Sequence, residues 1–215
     1  MFPLRPTSRL FVLAALLLPA VAVQAAASHY RYDTVHSQIL FSVDHDGYSR
    51  PFGRLHIARG WLRFDPDDWS SAATELDIDL ASVDMGDTDW NAAVRQPDLL
   101  DSAHARYAHF VSTSVQATDA RHGVLHGQLT LRGITRPVAL PFTFNRKART
   151  IFGMHTVAGF SATATLDRTD FGMTANPGSI GRRVTLWLEL EAIRDDRAPP
   201  AASSSATEPS DAPAQ

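Results

Sequence analysis

Apolar residues recur at every second position over a series of short stretches. Val35, Ile39, Phe41 and Val43 share one parity, and Leu76, Ile78 and Leu80 do the same with Glu75, Asp77 and Asp79 between them as a solvent face. Leu125, Leu129 and Leu131 follow, then Val138, Leu140, Phe142 and Phe144. Further on, Phe160, Ala162, Ala164 and Leu166 oppose Ser161, Thr163 and Thr165, and Val184, Leu186, Leu188 and Leu190 close the series. A period of two places alternate residues on opposite faces, so these stretches predict half-buried antiparallel strands. The turn-forming segments "DHDG", "FDPDD", "DARHG", "LRGITRP" and "NPGS" separate them, which is the spacing of a sandwich or barrel built from sequential hairpins. Around Gly60 the apolar parity slips from Leu55 and Ile57 to Leu62 and Phe64, and a bulge or sharp bend at Gly60 is expected.

One segment departs from alternation. "MGDTDWNAAVRQPDLLDSAHAR" has Asp87 or Thr88 as a helix cap, Trp90, Ala93 and Val94 at helical spacing, and Pro97 as a stop. It predicts a short helix and loop inserted among the strands, lying across an end of the barrel.

The two ends of the chain read differently from its middle. Residues 1–27 combine Arg5 and Arg9, an apolar run from Leu10 to Val23, and small residues at Ala25 and Ala27, after either of which an export signal is cleaved. The run is shorter than the roughly 20 residues a spanning helix needs. The periplasm is the expected location. Residues 195–215 are rich in Pro, Ala and Ser and cannot offset their ordering entropy, so they are expected to form a disordered tail. The folded domain is expected over 28–194.

Composition narrows the chemistry. There is no cysteine, which removes thiol catalysis, thiolate metal sites and iron–sulfur clusters. Loss of Arg5 and Arg9 from 20 basic residues leaves 18 against 23 acidic ones, a net charge near −5 without a nucleic-acid footprint. No nucleophile elbow occurs, and the kinase-like triplet Asp170-Phe171-Gly172 lacks its accompanying loops. No catalytic residue is therefore assigned. Nine histidines are the remaining suspects. His122 and His126 share a strand face but lie roughly 13 Å apart at about 3.3 Å per residue, too far to hold one ion. His36 and His45 have opposite parity. A metal-binding protein or metal-dependent enzyme using His36, His45, His104 or His109 stays as one alternative, and no metal site is assigned.

Small side chains mixed with large ones along the strands favour a hollow interior, because eight antiparallel strands enclose either a filled core or one slender ligand. A ligand-free stress or structural protein with a packed core is the second alternative.

The segments "YDTVHSQILFSVDHDGYSRPFGRL", "GWLRFDPDDW", "IDLASVDMG", "HGQLTLRGITRPVAL" and "GFSATATLDRTDFGM" occur in an order that resembles the YceI-like family of exported, lipocalin-like polyisoprenoid-binding proteins. The resemblance covers roughly His29 to Ala192. It implies an all-β, extended antiparallel eight-strand barrel without enzymatic activity and without a cofactor, whose interior holds an isoprenoid quinone or another polyprenyl lipid. On this reading the ligand-binding residues are Ile39, Phe41, Val43, Ile78, Leu80, Leu129, Leu131, Leu140, Phe142, Phe160, Ala162, Ala164, Leu186 and Leu188. The family's D-x-x-H-S start falls on Asp33, His36 and Ser37, its H-x-G on His45 and Gly47, and its R-S-D-F-G-M on Arg168 to Met173, with Asp170, Phe171 and Gly172 in place and Thr169 for serine. Around Arg106 a proline common in the family is missing, and Arg182 replaces a more usual acidic residue. His36, Asp44 and His45 are expected to tie strand ends or the barrel mouth together rather than to act chemically. Burying a forty-carbon tail from water would release roughly 30 kcal/mol at about 0.8 per CH₂, beyond the ceiling of about 20 for non-covalent affinity. The relevant exchange is therefore with a membrane, which admits transient membrane contact and a carrier, store or sensor role. A homodimer through one barrel edge is also admitted.

Overall fold

The computed structural model describes residues 27–197; the export signal expected over 1–27 and the tail over 195–215 fall almost wholly outside them. Eight strands close into an antiparallel barrel: β2 (Gln38–His45), β3 (Phe52–Phe64), β4 (Ala73–Asp84), β5 (Tyr107–Ala117), β6 (His122–Leu131), β7 (Ile134–Arg149), β8 (Thr156–Asp167) and β9 (Ile180–Arg194). Sequential neighbours pair from β3 to β9, and β9 returns to β2, which pairs with β3 to complete the circle. Closure leaves the wall without a free edge, and the diameter of eight staves leaves room for one slender ligand.

A ninth strand was not expected from the sequence. The short β1 (Ser28–Tyr32) pairs with the far end of β3 and of β9, in the same gap that β2 occupies further along. Together β1 and β2 make a single interrupted stave. Tyr30 and Tyr32 face inward from its first part and Ile39, Phe41 and Val43 from its second, so parity changes across the five-residue break at 33–37. Val35 lies in that break and is 80% exposed, which corrects its assignment to the inward-facing series.

Two further expectations change in position. The parity slip in β3 comes from a bulge between Ile57 and Arg59, where Ala58 is unpaired, and Gly60 itself pairs regularly with Leu76. Asp77, expected on a solvent face, is only 8% exposed, because Arg59 and His109 from the flanking strands close over its carboxylate at 2.6 Å each. Helix α1 (Thr88–Val94) forms where the sequence places it, with the Asp87 side chain accepting from the Trp90 amide at 2.9 Å; it ends at Arg95, two residues before Pro97.

The core is graded along the barrel axis. At the end away from α1, Phe64, Trp69, Phe142, Phe144 and Phe160 pack ring against ring at centroid separations of 5.1–6.3 Å, with Trp69 stacked on Phe142 at 5.3 Å. Such offset and edge-on contacts add to the stabilisation from area burial. Toward α1, aliphatic residues line the wall instead. Gly127 faces inward beneath the Phe110 ring, where an added Cβ would lie 2.4 Å from two ring carbons and 2.6 Å from the Val111 carbonyl. Gly127→Ala is expected to destabilise the barrel by about 1–3 kcal/mol through overpacking, read as a lower urea midpoint at unchanged slope.

Candidate functional site

Inside the barrel is an apolar cavity of about 360 Å³, running from the middle of the strands to the end under α1. Its size falls within the usual range of small-molecule sites, roughly 300–1,000 Å³. Ile39, Phe41 and Val43 of β2, Ile78 and Leu80 of β4, Leu129 and Leu131 of β6, Leu140 of β7, and Leu186 and Leu188 of β9 all border it, as the alternation of their strands requires. Other residues named from the sequence do not. Phe142, Phe160 and Ala162 border a second space of about 70 Å³ deeper in the barrel, next to the aromatic rings. Ala164 borders neither cavity and is buried in the wall opposite Leu186.

The two spaces share Tyr32, Thr74, Leu125, Leu140, Leu188 and Leu190. The one polar contact at this waist is already satisfied, because the Tyr32 and Thr74 hydroxyls bond at 2.8 Å and Thr74 donates to the Trp61 carbonyl at 2.6 Å. Burial pushes the Tyr32 phenol up to about 12, partly offset by Thr74, so it stays neutral in a lumen without ionised groups at this depth.

Residues outside any strand complete the lining. Trp90, Ala93 and Val94 of α1, with Leu99 and Leu100 after it, roof the cavity. The roof is tied down by Asn91 Oδ1, which accepts from the Met85 amide at 2.6 Å, and by Arg132, which donates to the Leu99 carbonyl. His45 meets Trp90 at a centroid distance of 5.7 Å, bridging the end of β2 to the roof. Asp44, His45, Arg168 and Asn176 are the polar side chains around this mouth. Met85, Leu99 and Leu100 belong to the segment expected to cross an end of the barrel and Met173 to the family motif, but none of them was named as a lining residue, and nothing in the sequence pointed to Asn176.

The motif residues prove to be structural clasps. Arg168 is 3% exposed and donates from its guanidinium to the carbonyls of Gly181 at 3.0 Å, Ala175 and Ile180 at 2.8 Å each, and Met173. Burial lowers its pKa from the ordinary arginine range, and no carboxylate pairs with it among the described residues; Asp167 binds Arg182 instead, at 2.8 Å. That pair uses the arginine standing where the family more often has an acid. Phe171 is buried beside the cavity, Gly172 takes the left-handed conformation at φ 75° that ends the turn, and Asp170 is exposed. Gly47, at φ 71°, serves the β2–β3 turn, donating its amide to Asp44 at 3.0 Å.

Asp33, His36 and Ser37 repair the interrupted stave. The Ser37 hydroxyl stands in for a backbone group, donating to the Glu191 carbonyl at 3.2 Å and accepting from its amide at 3.0 Å. Asp33 accepts from the amides of Val35 and His36 on one oxygen and meets His36 Nδ1 with the other at 2.8 Å. Burial alone would raise the Asp33 carboxyl, but these hydrogen bonds outweigh it and hold it below its ordinary value; the same contact raises His36. Asp33, His36 and Glu191 are the one group among the described residues whose ligand atoms come within 4.8 Å of one another, and those of Asp33 and His36 Nδ1 are already engaged. The histidines considered for a metal site are dispersed: His104 bonds Asp101 at 2.7 Å, His109 bonds Asp77 at 2.6 Å, and His45 packs against Trp90 with the two rings tilted.

A closed antiparallel barrel with an apolar lumen, a helical roof and a polar mouth defines a lipocalin-like barrel. Residues 30–192 match the YceI-like domain, and the chain belongs to the YceI-like family. A UPF0312 protein of Ectopseudomonas mendocina is 32% identical over 186 residues, covering 85% of this chain and 97% of that protein. One from Shewanella sp. (strain ANA-3) is 30% identical over 178 residues, 83% and 93% of the two chains. Among solved structures, Burkholderia cenocepacia BcnA superposes with a TM-score of 0.67 at 21% identity, covering 74% of this chain and 98% of that one. A polyisoprenoid binding domain from Saccharophagus degradans gives 0.58 at 14% identity, over 79% and 99%. These structures share the fold.

Two outcomes test the clasps. Arg168→Met keeps the apolar stem but strands buried carbonyls, and should cost about 2–4 kcal/mol in chemical denaturation. The Asp33–His36 pair adds stability that is complete below the ordinary histidine value and is lost as pH rises through the raised His36 value. On the acid side, the Asp33 contribution is present above the ordinary carboxylate range and is lost as pH falls through its lowered value. An NMR titration should place the His36 ring above the ordinary histidine value, and Asp33→Asn should return it there.

Proposed function

We propose that the protein is a non-enzymatic periplasmic binder of a long isoprenoid lipid, an isoprenoid quinone or polyprenyl lipid, held with its tail in the lumen and its head group at the mouth. The observation that carries this reading is the distribution of polarity in the cavity. The walls are apolar, aliphatic side chains with the rings of Phe41, Trp90, Phe110 and Phe171 among them, the single polar pair at the waist is internally satisfied, and Asp44, His45 and Asn176 gather at one end. A slender amphiphile matches that gradient; a compact polar metabolite would lose its hydration without replacement hydrogen bonds. The cavity also speaks against a fully packed, ligand-free core. The polyisoprenoid binding described for the Saccharophagus degradans domain supports the same ligand class.

Exchange with a bilayer keeps the free energy of transfer small, since the tail leaves one apolar medium for another. That suits reversible carriage, storage or sensing.

Solvent extraction and native mass spectrometry of the mature protein are expected to reveal a co-purifying prenyl lipid at up to one per barrel. Ala108→Trp, which projects an indole into the main cavity from a buried wall position, should lower occupancy at least tenfold while the β-sheet circular dichroism is retained. A wild-type protein that neither carries such a lipid nor takes up ubiquinone or a polyprenol from vesicles would refute the reading.

A further inference from the structure

The hairpin between β7 and β8 presents a surface that neither wall nor lumen uses. β6 begins opposite Thr143, and the Phe144 amide makes the last bond to that side, with the Arg121 carbonyl at 2.7 Å. Beyond it, β7 continues to Arg149 paired only with β8, while β8 stays paired with β9 as far as Val157, so the hairpin overhangs β6 and its tip at 150–155 extends past both neighbours. At its tip Ile151 and Phe152 are each 82% exposed and Met154 is 59% exposed.

The tip has a defined shape. Thr150 donates its amide to the His155 carbonyl at 2.8 Å, the Phe152 amide donates to the Thr150 hydroxyl at 3.1 Å, and Arg149 Nε donates to the Met154 carbonyl at 3.2 Å. The turn thus fixes three large apolar side chains in water, where each would gain by burial.

Beneath the tip lies a collar of positive charge. Arg146, Lys147 and Arg149 are exposed, no acidic residue occurs from Asn145 to Leu166, and none of the three joins an ion pair among the described residues. Of the acids at this end of the barrel, Asp195 pairs with Arg31 and Arg197, Asp196 with Arg194, Asp119 with His122 and Asp33 with His36; Asp65, Asp67 and Glu191 lie outside the hairpin, which itself carries only positive charge. On a chain of net charge −3 this is a local patch of opposite sign.

We propose that this hairpin docks the protein on an anionic lipid bilayer, with Ile151, Phe152 and Met154 entering the acyl boundary and Arg146, Lys147 and Arg149 meeting lipid phosphates. A tip of three apolar residues is far smaller than the roughly 800 Å² per partner of a stable protein interface, whereas a bilayer accepts a narrow protrusion and rewards a basic collar. The tip stands at the end of the barrel opposite α1. Docking therefore tethers the protein while His45, Trp90 and the lumen's mouth face away from the surface. The docking rests on the lipid-binding reading for its purpose, but its physical basis is separate.

Flotation with vesicles of one-third phosphatidylglycerol in phosphatidylcholine, compared with pure phosphatidylcholine, tests it. The wild type should bind the anionic vesicles and lose that binding in the neutral ones and at raised salt. Lys147→Gln with Arg149→Gln should weaken partition about 30-fold, from roughly fivefold per cationic charge. Ile151→Ser with Phe152→Ser should weaken it by at least tenfold, with the thermal midpoint and the bound prenyl lipid unchanged, since the tip is outside the barrel. Equal binding to both vesicle types, or variants that float as the wild type does, overturns the proposal. Vesicle binding by a protein that carries no prenyl lipid would instead remove the lumen reading and leave the docking surface standing.

Discussion

Everything in this molecule depends on the hydrogen-bonded closure of its sheet. Because β2 pairs with both β3 and β9, the sheet closes on itself, with only the overhanging end of β7 left unpaired on one side, and the stave number fixes a diameter that side chains fill only if they are large. Aromatic residues are concentrated at one end and aliphatic ones at the other, so the same wall is solid below the waist and hollow above it. The lumen is thus a consequence of side-chain size along the axis, with backbone geometry held constant.

Closure also creates the problem that the motif residues solve. A stave made from two segments leaves backbone groups of β9 exposed at the break, and unpaired backbone groups are costly in a buried wall. The Asp33 amide bonds the Glu191 carbonyl at 2.8 Å and the Ser37 hydroxyl accepts from the Glu191 amide that has no backbone partner, while Asp33 and His36 hold the turn that carries the chain around the gap. Arg168 answers the same need at the roofed end, donating to the carbonyls of Met173 and Ala175 in the loop before β9 and of Ile180 and Gly181 at the start of that strand. Its positive charge is balanced by carbonyl dipoles rather than by a carboxylate, so it stabilises the mouth without presenting a free cation to the lumen.

The division between mouth, waist and aromatic floor gives the cavity a direction. A ligand with an apolar tail and a polar head fits in one orientation, because the polar side chains gather only under α1. The exposed hairpin lies beyond the floor, so attachment to a surface and access to the lumen occupy opposite ends of the barrel.

Strand alternation, turn chemistry and the helix cap at Asp87 were legible in the chain itself, because each rests on contacts between residues near one another in sequence. That local code determined the antiparallel strands and most of the inward-facing residues, Ile39 to Val43 and Leu186 to Leu188 among them. It misplaced Val35 because a five-residue break reverses parity without interrupting the alternation of residue types, and it could not separate Phe142, Phe160 and Ala162, which border the deeper space, or Ala164, which borders neither, from positions around the main cavity, since depth along the axis has no periodic signature. The roof residues Leu99, Leu100 and Asn176, the pairing of Ser37 with Glu191 across 154 residues, and the split of one stave into β1 and β2 were decided by the tertiary structure alone. The reason is physical: which strand meets which, and where a barrel is hollow, follows from ring closure and from volumes summed over all staves at once, quantities that no single stretch of sequence contains.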